Sequence, residues 1–267
     1  MKKSGKQLQL EKQIRHLLEG LALDIADYIF SDHEIQTLQD YANVLSIRRM
    51  GYNDHGPVHM RKAALNALKM FDLLDDADVA FNFVDEGYGD ITDSKIIVLI
   101  ASLLHDIGMT ITRSNHEFLS VQLAIPIVDR ILQKFYSQDA EKIIFLKSII
   151  IESIFGHMAT QPITSLEAGL VLVGDGCDME KGRARITKLL HEKPRVGDIH
   201  KYSASAIQKV LIQKGEEKPI KIVVEMNQSA GIFQVEEVLL NKINFSPVKK
   251  YIELYAGLKD VELLKYL

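Results

Sequence analysis

A single cysteine, Cys177, occurs in 267 residues. An intramolecular disulfide framework is therefore excluded, and this usage fits a reducing cytoplasm. No apolar run reaches membrane-spanning length, and the lysine-bearing start leads into alternating charged and apolar residues rather than a signal-peptide core. The expectation is a soluble, cytoplasmic protein without a membrane partner. Basic charge is not in excess: the formal net charge is −4 and the sequence pI is near 6.1. Those values argue against a general nucleic-acid coat or a polybasic membrane anchor. Disorder is excluded for most of the chain, because 47% of the residues are hydrophobic and can fill one large core with a small appendage.

What is present centres on one stretch. Residues 96–104, Ile-Ile-Val-Leu-Ile-Ala-Ser-Leu-Leu, are apolar or small on every face and run straight into His105, Asp106, Ile107 and Gly108. A helix apolar all round belongs in the middle of a domain. A carboxylate at its end is costly to bury unless it is paired or coordinates a metal. The His105–Asp106 pair therefore asks for a cation, the bland alternative being a buried histidine bonded to a neighbouring aspartate. Adjacent helical side chains diverge by about 100°, so one ion can be shared only at the helix end. Gly108 suits a C-cap, and Asp93 or Ser94 an N-cap.

Residues 6–45 carry helical periodicity, divided by Gly20 and by the cap-like segment from Ser31 to Glu34. His16 and His33 sit among polar residues and read as solvated. Turn chemistry at 51–58 contains His55, and a helix from Pro57 or Val58 to Leu74 has His59 in its first turn. An acidic loop at 75–93, with room for a short helix, leads to the central stretch. Helices are predicted at 118–135, with His116 just ahead, and at 141–155, with His157 just beyond. Thr164 to Glu167 has capping-box spacing and opens a helix that carries Asp175, with Asp178 at i+3 on the same face. The basic run that follows holds Lys181, Arg183 and Arg185, which suit phosphate recognition or form a solvated face. Cys177 reads as packing, with no basic partner adjoining it.

Composition shifts near 191–201. Residues 202–214 look helical, 219–226 and 231–240 read as two strands of a hairpin, and a last helix starts after Ser246 with Pro247 at its first position. The free edge of the hairpin is a plausible homodimer contact. The expected organisation is 1–50 as N-terminal helices on the core, 51–190 as the metal-binding helical domain, and 191–267 as a small α+β region.

The order His59, His105-Asp106, His116, His157, Asp175 resembles the HD superfamily of metal-dependent phosphohydrolases, over roughly residues 50 to 190. The flanking sequence looks like a group of archaeal predicted HD hydrolases. The expected fold is mainly α, an HD-domain helical bundle with a small C-terminal α+β appendage containing a β-hairpin. The resemblance implies that His59, His105, Asp106 and Asp175 hold one divalent ion, and that His116 and His157 add a second with Asp106 as the bridge. Imidazole with carboxylate suits Mn, Fe, Ni, Co or Zn, with Mg also admitted. The implied reaction is hydrolysis of a phosphomonoester or phosphodiester, of a nucleotide or related compound, by metal-activated hydroxide. Asp106 and Asp178 are the catalytic candidates, and His55, Lys181, Arg183 and Arg185 the substrate-binding ones. His55 also reads as part of its turn or as support for a ligand, and Asp178 as the orienter of one.

Two departures restrict the substrate. Single-metal HD nucleotidases place a glutamate shortly after the His-Asp pair, where this chain has Met109-Thr-Ile-Thr112. Cyclic-dinucleotide phosphodiesterases carry a lysine after His-Asp-Ile-Gly, where this chain has Met109. Two other classes stay open: a non-catalytic metal-containing nucleotide sensor, and an RNA-associated factor using the basic run, which the acidic overall charge disfavours.

Overall fold

Helix α6 (Ile91–Leu104) is the axis of the molecule. In a computed structural model that describes residues 3–180, 203, 205–259, 261 and 263–267, every side chain from Ile96 to Leu104 is buried. Helices α2 (Gly20–Ser31), α4 (Pro57–Asp75), α8 (Ala140–Gly156) and α9 (Leu166–Gly176) pack around it. Each large aliphatic side chain removed from water in this way contributes about 1.5–3 kcal/mol, so this helix has no face to spare for solvent. Its N-cap is Asp90, which exchanges capping-box hydrogen bonds with Asp93, rather than the expected Asp93 or Ser94. Asp93 is drawn inward instead by the Tyr136 hydroxyl at 2.7 Å and Lys142 at 2.6 Å.

The N-terminal segment forms α1 (Gly5–Arg15), α2 and α3 (His33–Asn43), with Asp32 capping α3 by accepting from the Ile35 amide. These helices fix the start of α4 through Arg61, which is fully buried. Its guanidinium donates to Glu11 at 2.8 Å, Gln39 at 2.6 Å, Gln36 at 3.0 Å and the Pro57 carbonyl at 3.1 Å. A short α5 (Asn82–Asp85) lies in the acidic loop. Helix α7 (His116–Tyr136) then pairs with α8. The cap of α9 is Ser165, whose side chain accepts from Ala168, not Thr164. Glu167 is instead buried, accepting from the Phe83 amide and the Ser94 hydroxyl.

The C-terminal region is a small α+β appendage, but its elements differ from expectation. Strand β1 (Ile207–Lys214) pairs antiparallel with β2 (Ile220–Met226), and this is the hairpin. Residues 207–214 are therefore strand where a helix was expected. The stretch after β2 is helical: Ile232–Gln234, Val235–Leu240 and Asn241–Phe245 follow one another, and we label them together α10. Its buried positions, Val235, Leu239 and Ile243, recur every four residues, a helical stripe that β-branched content concealed. After a 3-10 turn at Pro247–Tyr251, where the last helix was expected, β3 (Ile252–Leu258) runs parallel to β2, and β4 (Leu264–Lys265) closes the order β1-β2-β3-β4. The crossover through α10 is what a parallel pair requires. It lays α10 against α9, while β1 and β2 pack on α4. One cluster of buried apolar side chains runs from Leu10 to Ala256. No described helix is long and apolar enough to cross a membrane.

Candidate metal centre

Five helices deliver their ends to one place. His59 lies in the first turn of α4, His105 caps the C-terminus of α6 with Asp106 next to it, and His116 opens α7. His157 caps the C-terminus of α8, Asp175 sits in the last turn of α9, and Asp178 follows just past it. All seven side chains are buried. Small residues make this convergence geometrically feasible. A Cβ on Gly174 would lie 2.8 Å from the Ala67 Cβ and 2.9 Å from the Ala63 carbonyl oxygen, so α9 approaches α4 closely and brings Asp175 to His59. Gly108 is not the C-cap expected of it. It lies inside the 3-10 turn Ile107–Thr110, where a Cβ would meet the His116 carbonyl oxygen at 2.1 Å. Asn115, in a left-handed conformation with φ 54° that Asn tolerates, turns the chain into α7.

The protonation pattern follows from the partners of the four rings. His59 Nδ1 is 2.7 Å from Asp178 Oδ2, a carboxylate oxygen. His105 Nδ1 faces the Ser102 carbonyl at 2.8 Å, His116 Nδ1 the Arg113 carbonyl at 3.0 Å, and His157 Nδ1 the Ile154 carbonyl at 2.6 Å. These oxygens accept, so each Nδ1 must donate, and in a neutral ring that leaves Nε2 with a lone pair. Burial keeps His105 neutral, pushing its pKa down to about 3, and lowers that of His157 as well. The Nε2 atoms then face one another: His59 and His105 at 3.2 Å, His116 and His157 at 3.1 Å. Opposed lone pairs at that distance repel unless a cation lies among them.

The carboxylates add to this demand. Asp106 Oδ2 is 3.1 Å from His59 Nε2 and 3.6 Å from His105 Nε2, and its Oδ1 is 3.0 Å from His116 Nε2 and 3.4 Å from His157 Nε2. One carboxylate thus presents one oxygen to each pair of rings. Asp106 Oδ2 is buried and accepts no hydrogen bond among the described residues, an orphan that normally signals a missing partner. Asp175 Oδ1 completes the first group at 3.1 Å from His59 Nε2 and 3.8 Å from His105 Nε2. Burial opposes ionisation of both aspartates. For Asp175 the Lys242 ammonium outweighs it and holds the carboxyl well below its usual range; for Asp106 the same lowering requires positive charge among the surrounding rings, His105 foremost, which neutral imidazoles do not carry and a bound cation would supply. Donor atoms of His59, His105 and Asp175 lie within 4.8 Å of one another, as do those of His105, Asp106 and His157. Neutral imidazoles and ionised carboxylates with anchored Nδ1 atoms are the donor set of a transition-metal site with its supporting hydrogen bonds. The residues present fit such ions.

A cavity of about 280 Å³ opens over this cluster, with Asp106 and Asp175 in its wall and His55, Arg113 and Lys242 also lining it. His55 is both a turn residue and a wall residue: its Nδ1 bonds the Asn53 carbonyl at 2.7 Å, and its ring lies 5.8 Å from that of His59. Lys242, on α10, forms an ion pair with Asp175 Oδ2 and donates to the His157 carbonyl at 2.7 Å. Arg113 places a guanidinium nitrogen 3.5 Å from both ring nitrogens of His116. Neither residue was singled out from sequence. Arg113 carries a weak signal, a cation three positions before a ligand candidate. Lys242 carries none until α10 is known to be a helix, whose period then turns it inward beside Ile243. Lys181, Arg183 and Arg185 lie outside the described residues. His16 and His33 are exposed.

No family model matches the chain, and no solved structure matches it. The chain is 38% identical over 239 residues, 90% of its own length and 90% of its relative's, to a protein of Methanocaldococcus jannaschii described only as uncharacterized.

Proposed function

The chain belongs to the same family as that Methanocaldococcus protein, and we propose that it is an enzyme of the HD-superfamily kind, a metal-dependent phosphohydrolase acting on a nucleotide or related phosphate ester. The observation that carries this reading is the division of labour at Asp106, whose two oxygens face two separate histidine pairs. His59, His105, Asp175 and one oxygen of Asp106 would hold one divalent ion. His116, His157 and the other oxygen would hold a second. When bound, such a pair supplies a water acidified at neutral pH and positive charge against a phosphoryl group. Four imidazoles in the set favour Mn, Fe, Co, Ni or Zn over calcium, which prefers oxygen throughout.

The chain's own residues do the rest. Asp178 fixes the tautomer and orientation of His59. The Ser102, Arg113 and Ile154 carbonyls do the same for the other three rings, so every Nε2 is aimed before any ligand arrives. Asp175 is held through its outer oxygen by Lys242 and keeps its inner oxygen on the His59 side. The cavity brings a substrate against Asp106 and Asp175 without opening the apolar core behind them.

The test is elemental analysis of the purified protein beside hydrolysis of a panel of phosphate esters and nucleotides with each metal. The expected result is about two transition-metal ions per chain with phosphate release, and loss of both metal and turnover in Asp106→Asn. Metal without turnover across the panel would sink the hydrolase reading, and full metal retention in Asp106→Asn would sink the assignment of the bridge.

A further inference from the structure

Two cations that line the cavity come from segments far apart in the chain. Arg113 stands in the turn before α7. No carboxylate among the described residues pairs with it; its recorded contacts are the His116 ring and, at 6.0 Å, the Tyr52 ring. A guanidinium carries five N–H donors in a planar fork, and ring contacts leave that fork able to take an oxyanion. Lys242 comes from α10, and its ammonium has three donors. Among the described residues two are used, on Asp175 and the His157 carbonyl. That leaves a third for an anion in the cavity, which Lys242 lines.

We propose that Arg113 and Lys242 form an anion clamp over the metal centre, that the clamp takes the phosphoryl oxygens of a compact phosphomonoester, and that the C-terminal appendage thereby completes the site. The substrate class rests on the phosphohydrolase reading; the clamp itself does not. A monoester presents a dianion where a diester presents a single charge, and the cavity meets it with an arginine that has no carboxylate partner among the described residues, plus a lysine. Beyond Asp106 and Asp175, the cavity wall holds one more acid among the described residues, Glu237. It disfavours a second negative group on the ligand beyond the one phosphoryl. At about 280 Å³ the space lies just below the usual range of ligand pockets, roughly 300 to 1,000 Å³. Lys242 is in addition a positioning residue, because its ion pair decides which oxygen of Asp175 faces His59.

The experiment uses the full chain loaded with metal and measures inorganic phosphate binding by calorimetry, metal content, and turnover of p-nitrophenyl phosphate against bis(p-nitrophenyl) phosphate. Arg113→Met is expected to weaken phosphate binding by about tenfold or more, the usual loss for a charge-assisted hydrogen bond, at unchanged metal content. It should raise KM more than it lowers kcat. Lys242→Met should weaken phosphate binding and also lower kcat, with Lys242→Arg restoring the binding. If Lys242→Met does not fold, Arg113→Met and Lys242→Arg carry the test. Phosphate affinity unchanged in Arg113→Met overturns the clamp. A wild-type preference for the diester overturns the substrate class. If the loaded protein hydrolyses neither ester nor any nucleotide, the phosphohydrolase reading fails, while the phosphate titrations still decide whether the clamp exists.

Discussion

Cys177 sits two residues after Asp175, at a position where a nucleophile would be welcome, yet its surroundings silence it. The thiol is wholly buried, and burial pushes its pKa up to about 12. Thiolate at pH 8 is then about one part in ten thousand, and the thiolate is the reactive form. The expected outcome is no reaction of the native protein with an aromatic disulfide reagent at pH 8, and one thiol titrated after unfolding. Raising the pH toward 10 should increase reactivity only by increasing the thiolate fraction, since the shift is upward. Prompt labelling in the native state at pH 8 would mean that the end of α9 opens, and Asp175 with it. The same physics treats a neighbouring group oppositely. Asp175 is also buried, but the Lys242 ammonium pairs with it and keeps it ionised. Burial alone therefore does not decide chemistry at this centre; the partners do.

At the scale of elements, the centre is built from helix ends, and close backbone approach sets its dimensions. Gly108 brings the turn after α6 against the first turns of α7, and its amide donates to the Ser120 hydroxyl at 2.9 Å. A methyl group there would strike the His116 carbonyl oxygen and, at 2.5 Å, the Ser120 amide. These are backbone atoms and cannot rotate away. Gly108→Ala should cost about 1–3 kcal/mol or more in urea unfolding, and it should lower metal content because His116 is displaced with its carbonyl. Gly5→Ala, where nothing lies within 4 Å, is the control expected to do neither. Equal stability of the two variants would show that α7 does not need this approach. His105, Asp106 and Asp175 were legible in the sequence because each closes an apolar helix, a costly place for His or Asp without a task, whereas His59, His116 and His157 were picked out by the resemblance to the HD superfamily. The role of Gly108 was not, since a glycine after a helix reads as a cap until the packing of α7 is known. The strand and helix exchange in the appendage has a similar origin. Residues 231–240 and 207–214 are both rich in branched side chains, and only pairing with β2 or packing on α9 separates the two outcomes.

For the whole molecule, the consequence is that metal and fold should be coupled. The six candidate ligands span residues 59 to 175 and come from five helices; an unfolded chain scatters them. An ion that binds only the folded arrangement stabilises it by mass action, about 2.7 kcal/mol per site at a free concentration of 100 times Kd. For a chain of this size that corresponds to roughly 5–10 °C in Tm. Without cations, the opposed Nε2 lone pairs and the orphan oxygen of Asp106 remain as buried polar atoms lacking compensation, which lowers the stripped protein further. Scanning calorimetry of chelator-treated and reloaded protein should therefore separate by several degrees. The gap should close in Asp106→Asn and persist in His16→Ala, an exposed histidine. Identical transitions for stripped and reloaded wild type would mean that the cluster is satisfied by protons alone and was never a metal centre. A gap that survives in Asp106→Asn would place the stabilising ion elsewhere. Because α1 to α3 hold the start of α4 through Arg61 and α10 holds Asp175 through Lys242, both ends of the chain brace this centre, and its loss should be felt as one cooperative transition rather than as local fraying.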